Sequence, residues 1–196
     1  MLPQIILGSQ SPQRKLILEH FKIPFLTIVS HFDETSVLQN TDIGQYAINV
    51  SLGKSESLQK EFSKDCLIIT ADTVVYQKGE IFHKPIDEMH AVDMLRRLAS
   101  KPHWVFTGVT VSLNSVTVSR YEKTELILRS VDDKHLMNYV KAFNTLDKCG
   151  GYSVQDGGSL IVEKINGCSY NVRGLPINTL YQLLLQLGIN LWNFIS

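Results

Sequence analysis

One carboxylate, Asp72, interrupts the apolar run Cys66 to Val75, which reads CLIITADTVV. An unpaired buried carboxylate costs several kcal/mol, so Asp72 must sit at an open strand end, beside a cation, or among hydrogen-bond donors. The alternative is a turn in which Asp72 and Thr73 close the strand. Four other stretches carry groups that suit anion or metal chemistry. Ser9, Ser11 and Arg14 lie in GSQSPQR, where a loop of small residues enters a helix and hydroxyl, guanidinium and backbone N–H donors gather; an ordinary capped helix explains the same pattern. Glu34, in the polar triplet Asp33-Glu34-Thr35, is a candidate metal ligand or base, against the reading of a solvated loop. Lys54 shares a helical stripe with Ala47, Ser51 and Leu58, which turns it inward as a site cation or leaves it as a snorkelling boundary lysine. Lys84 precedes Pro85, which holds its backbone extended and fixes where its side chain leaves the chain. Thr107-Gly108 breaks an apolar strand and marks a bulge or a close backbone approach, by a ligand among other things. Gln155 ends a short segment beside an Asp-Gly-Gly turn, and its amide offers both a donor and an acceptor.

The elements that must position these groups alternate between strand and helix. Strands are expected at Gln4 to Leu7, Phe25 to Val29, the Cys66 run, Trp104 to Leu113 and Val116 to Leu128, the last two joined at Asn114-Ser115. Helices are expected from Pro12 toward Phe21, Thr41 to Glu61, Asp87 to Leu98, Asp132 to Phe143 and Pro176 to Leu187. A hairpin spans Tyr76 to Ile81. A glycine-marked loop at 147–151 is read as feeding a short strand that Gln155 ends, and the tail from Ile189 is apolar enough to dock on the body or on a partner subunit.

With 196 residues, 44% of them hydrophobic, the chain fits one domain of two lobes and has no apolar run long enough to span a bilayer. Nineteen basic residues balance nineteen acidic ones, which excludes the net positive field that carries nucleic-acid binding. Three cysteines without a CxxC pair speak against a disulfide framework and a zinc site, and the N-terminus lacks the basic start and cleavage pattern of a signal peptide. A cytoplasmic protein with reduced thiols and no membrane or nucleic-acid partner is expected.

Read in order, Gly-Ser-Gln-Ser-Pro-Gln-Arg at 8–14, Asp-Glu-Thr at 33–35, Ala-Asp-Thr-Val-Val at 71–75, Lys84-Pro85, His-Trp-Val-Phe-Thr-Gly-Val at 103–109, Asp-Lys-Cys-Gly-Gly-Tyr at 147–152 and Asn-Val-Arg-Gly-Leu-Pro at 171–176 resemble the motif series of the Maf family of nucleoside triphosphate pyrophosphatases. The resemblance runs from residue 5 to about 185. It implies a two-lobed α/β fold like that of Maf and inosine triphosphatase proteins over residues 1–196: a mixed central sheet flanked by helices, with a cleft between lobes. It also implies hydrolysis of the α–β phosphate bond of a nucleoside triphosphate with Mg²⁺ or Mn²⁺, and frequent homodimers. By the same resemblance Asp72, Glu34, Lys54 and Lys84 are catalytic, with Glu34 and Asp72 also holding metal. Ser9, Ser11, Arg14, Thr73, Thr107 and Gln155 are substrate-binding, and glutamine at 155 points to dTTP and UTP. Gln13, Cys149 and Ser55 depart from the family's usual Arg, Ala and Ala. A nucleotide-binding regulator of septum formation without turnover, and a house-cleaning pyrophosphatase for non-canonical purine triphosphates, stay as rival readings.

Overall fold

The computed structural model describes residues 2–39, 42–62 and 65–195. Its elements in order are β1 (Ile5–Gly8), α1 (Pro12–His20), β2 (Leu26–Ile28), α2 (Ile43–Gln59), β3 (Leu67–Gln77), β4 (Glu80–Phe82), α3 (Glu88–Leu98), β5 (His103–Leu113), β6 (Val116–Leu128), α4 (Asp133–Phe143), α5 (Gly158–Ile161), β7 (Val162–Asn166), α6 (Ser169–Val172) and α7 (Ile177–Gln186). The strands make one mixed seven-stranded sheet in the order β2-β1-β3-β5-β6-β7, with β4 on β3. β1 runs parallel to β2 and to β3, whereas β3–β4 and β6–β7 are antiparallel. The expected α/β class with a mixed sheet and helices is what the chain adopts.

Local chemistry sets the element ends. The carboxylates of Asp42, Asp87 and Asp132 accept the N–H groups of Gln45, His90 and His135, so α2, α3 and α4 begin just after an aspartate that caps them. Thr41, the expected start of α2, lies outside the described residues. Between β5 and β6, Asn114 and Ser115 have φ of 51° and 67°, the left-handed pair that a two-residue hairpin needs.

Contacts divide the chain into two units, one of Met1–Asp72, Thr107–Glu122 and Arg173–Ser196, the other of Thr73–Phe106 and Lys123–Val172. In the first, Ile6, Leu58 and Ile68 are buried together, with Ile28, Phe62 and Cys66 against them. In the second, the face of α3 read from the sequence, Ala91, Met94, Leu95 and Leu98, is buried with Val105, Leu126, Leu136 and Val140.

One expectation is corrected. No strand forms at 152–155. The Ser153 hydroxyl accepts the N–H groups of Gln155 and Asp156 at 3.1 and 3.2 Å, and the Ser153 N–H donates to the Tyr139 hydroxyl, so local partners take the donors a ladder would use. The strand that pairs with β6 is instead β7, further on. In the tail Leu191 and Phe194 are buried, so part of it docks on the body, while Trp192 is 70% exposed.

Candidate active site

Asp72 lies in the middle of β3, which continues five residues beyond it, so the turn reading is overturned. The buried carboxylate is held by a cation: Lys54 Nζ donates to Asp72 Oδ1 at 2.9 Å, and the same ammonium is 2.8 Å from Glu34 Oε1. Lys54 and Asp72 side chains are each 12% exposed, while Glu34 is 55% exposed. Low exposure keeps water from screening the Lys54–Asp72 pair, whereas Glu34 reaches it from the solvent side. No other protein group among the described residues engages Asp72 Oδ2.

The elements explain why three residues so far apart in sequence meet. Ala47, Ser51 and Leu58 of α2 are fully buried, and Lys54 sits at the edge of that stripe, as its spacing predicts. Glu34 opens a short 3-10 turn, Glu34–Ser36, capped by Asp33, whose Oδ1 accepts from the Thr35 N–H and hydroxyl at 3.0 and 2.7 Å. Those two donors hold the Asp33 carboxyl below its ordinary pKa. Asp33 thus shapes the turn and Glu34 is delivered by it. The turn is brought to α2 by Phe32, whose ring lies where a Cβ on Gly53 would be, 2.3 Å from its Cζ. Gly53 was missed in the sequence, yet a glycine inside a helix costs about 1 kcal/mol against alanine, and that is a signal of a packing demand.

The serine loop lies on the same unit. Gly8 pairs with Thr70 in the parallel register of β1 and β3, which carries the loop after Gly8 past the point where β3 bears Asp72. Ser11 takes the N-cap position of α1 with proline in the first turn, but its hydroxyl makes no capping bond. Ser9 Oγ instead accepts from the Ser11 N–H at 3.1 Å and from Arg14 Nη1 at 3.0 Å, and Arg14 Nε donates to the Gly174 carbonyl at 2.8 Å. Arg14 is buried, so its guanidinium braces the loop as well as charging it.

Thr107 is fully buried. Gly108 answers the open question beside it: a Cβ there would lie 2.3 Å from the backbone of Ala47, so the glycine admits α2 to the sheet. Thr73, Lys84 and Gln155 belong to the second unit. The Thr73 carbonyl accepts from Cys149 Sγ at 3.5 Å, and the His83 carbonyl beside the exposed Lys84 accepts from the Gly150 N–H at 3.1 Å. Gln155 is exposed, its backbone fixed by Ser153. None of the three cysteines is in a disulfide.

Among the described residues no group of three or more His, Cys, Asp or Glu side chains converges as a metal cage. The two carboxylates that close on Lys54 still fit a hard divalent cation. They are oxygen donors aimed at one positively charged point, and Mg²⁺ is commonly held by one or two carboxylates while phosphates and water complete its shell.

The sequence matches the Maf-like protein family over residues 4–187. It is 46% identical over 195 residues, the full length of both chains, to a Chlamydia caviae protein named dTTP/UTP pyrophosphatase. It is 45% identical over 193 residues, 98% of each chain, to a Chlamydia muridarum protein named nucleoside triphosphate pyrophosphatase. A Chlamydia pneumoniae protein of the latter name is 40% identical over 191 residues, 97% of each chain. A match that spans the serine loop, Glu34, Lys54 and Asp72 alike leaves one assignment: the chain belongs to the Maf-like protein family.

Proposed function

We propose that the chain is a nucleoside triphosphate pyrophosphatase that acts on dTTP and UTP and releases the monophosphate and pyrophosphate. The observation that carries this reading is the Lys54 ammonium held between the carboxylates of Asp72 and Glu34, in a chain of this family. Mere nucleotide binding needs cations; it has no use for a carboxylate pair on a cation. In the proposed reaction a water oxygen attacks the α-phosphorus, the bond from that phosphorus to the bridging oxygen breaks, and pyrophosphate leaves with the electron pair.

Each residue then has a task. The Ser9 oxygen already accepts two hydrogen bonds, which leaves its own O–H to donate to a phosphate oxygen. Ser11 and the N–H groups of the first turn of α1 add to that anion cradle, and Arg14 keeps its shape. Lys54 offsets charge that builds on the leaving pyrophosphate. Asp72, with Oδ1 on Lys54, presents Oδ2 to take the proton of the attacking water or to meet a metal. Glu34 and Asp72 are the residues proposed to hold Mg²⁺ or Mn²⁺, which when bound would neutralise phosphate charge as a Lewis acid. Lys84 is proposed as a second phosphate contact. Gln155 is proposed to read the carbonyl and N–H edge of uracil or thymine. A cytoplasmic location is proposed on three cysteines without a CxxC pair, and a homodimer on the resemblance alone.

The test is product analysis with Mg²⁺ across dTTP, UTP, canonical purine triphosphates and inosine triphosphate. Pyrophosphate release fastest from dTTP and UTP is expected, and Gln155→Ala should narrow that preference in kcat/KM. Binding without turnover would favour the regulatory module, and release confined to inosine triphosphate would favour the house-cleaning reading.

A further inference from the structure

Leu58 packs α2 on Ile6 and Ile68, but around Lys54 the contact of α2 with β5 is built from small and hydroxyl-bearing side chains. Ala47, Ser51 and Ser55 recur every four residues along α2, and they meet Gly108, Thr110 and Ser112, which recur every two along β5. The repeats match in length: four residues of helix rise about 6 Å and two of strand about 6.8 Å. Ser51 Oγ lies 2.8 Å from Thr110 Oγ1, and Ser55 Oγ lies 2.7 Å from Ser112 Oγ. Thr110 and Ser112 continue to Ser119 and Thr117 of β6 at 2.8 and 2.9 Å. On the other side the Thr70 hydroxyl of β3 donates to the Ser51 carbonyl at 2.7 Å. Thr70 stands two residues before Asp72 on the same face of β3, and Ser51 stands one turn before Lys54 on α2. The two side chains that form the ion pair are therefore tied to each other through one buried hydrogen bond between their own elements.

Apolar contacts are non-directional and tolerate rotation of a helix against a sheet, whereas a hydrogen bond of this length does not. Rotating a helix by about 20° moves an atom roughly 8 Å from its axis by about 3 Å, which is the whole length of the Lys54–Asp72 bond. We propose that Thr70 and Ser51, extended by the Ser55–Ser112 pair, are positioning residues that fix the rotation of α2 and so hold the Lys54 ammonium on Asp72. Ser55, which replaces the family's usual alanine, is one rung of this ladder. The inference rests on the catalytic reading of Lys54 and Asp72.

Two substitutions at Thr70 separate positioning from packing. Thr70→Val keeps the volume and strand preference and removes only the hydroxyl, and the Ser51 carbonyl keeps its partner inside the helix. Thr70→Ser keeps the hydroxyl and removes a buried methyl. Positioning predicts that Thr70→Val melts close to wild type and loses at least about tenfold in kcat with KM little changed, since displacement of a catalytic group by about 1 Å is enough for such losses. It predicts that Thr70→Ser melts lower and keeps kcat within about twofold. A Thr70→Val enzyme with wild-type kcat, or losses that follow melting temperature in both variants, overturns the proposal. Lys54→Ala is the control for the underlying reading. If it keeps full activity, the catalytic role of Lys54 fails; if it is inactive and folded while Thr70→Val is fully active, the positioning role alone fails.

Discussion

Asp72 sits mid-strand with one oxygen on Lys54, so a neutral isostere removes its charge without touching the strand. Asp72→Asn is expected to lower pyrophosphate release by roughly 10²- to 10⁴-fold, the range for loss of a general base. It should also cost about 1 kcal/mol of stability, since Lys54 keeps only the more exposed Glu34, and a drop of about 2–4 °C in melting temperature follows for a chain of this size. Steady-state assays at saturating Mg²⁺ beside melts of both proteins check this, and activity within a few-fold of wild type would return Asp72 to a structural role. The acidic residue in an apolar run was legible in the sequence because burial makes a lone carboxylate conspicuous. Lys54 was legible because its neighbours on the stripe are small or apolar. Thr70 was not, since threonine is ordinary in a strand and nothing in its type says that its hydroxyl crosses to a helix.

At the scale of elements, α2 is the member that organises the first unit's site, and its interior glycine is where propensity and packing collide. Gly53→Ala improves helix propensity by about 1 kcal/mol. The added methyl would overlap the Phe32 ring, so either the ring or the turn that carries Glu34 must move. The variant is expected to melt below wild type and to lose activity, both by the same displacement; a more stable and fully active Gly53→Ala would show that the Phe32 contact is dispensable. Helix starts were readable to within a residue or two because aspartates mark them. The segment 152–155 was misread because Ser153 and the Tyr139 hydroxyl consume its donors, and only the folded chain brings Tyr139 there. β7 was missed for a related reason: Val162–Asn166 is mostly exposed and polar, so it lacks the burial alternation by which strands are recognised.

For the whole molecule, the buried His103 contributes to the acid response. Burial pushes its pKa down to about 4, against a weaker opposing pull from the Lys101 main chain, and its Nε2 lies 2.8 Å from the Tyr152 hydroxyl. The unfolded chain protonates the same imidazole near 6.5, so between the two values the unfolded state binds more protons. Its contribution to stability is therefore full above about pH 6.5 and falls as pH drops toward 4, by about 3 kcal/mol for a shift of that size. Melting temperature against pH should show this acid slope, and His103→Gln should flatten it; an unchanged slope would assign the effect to other groups. The bond from Arg14 Nε to the Gly174 carbonyl also has a meaning in time. Ribosomes make chains from the N-terminus, and every segment of the second unit precedes Arg173, while the first unit closes only with Arg173–Ser196. Serine loop, Glu34, Lys54 and Asp72 are all synthesised before the residue that braces Arg14, so a nascent chain that ends at Val172 carries each of the first unit's site side chains and still lacks the brace that holds their anion loop in shape.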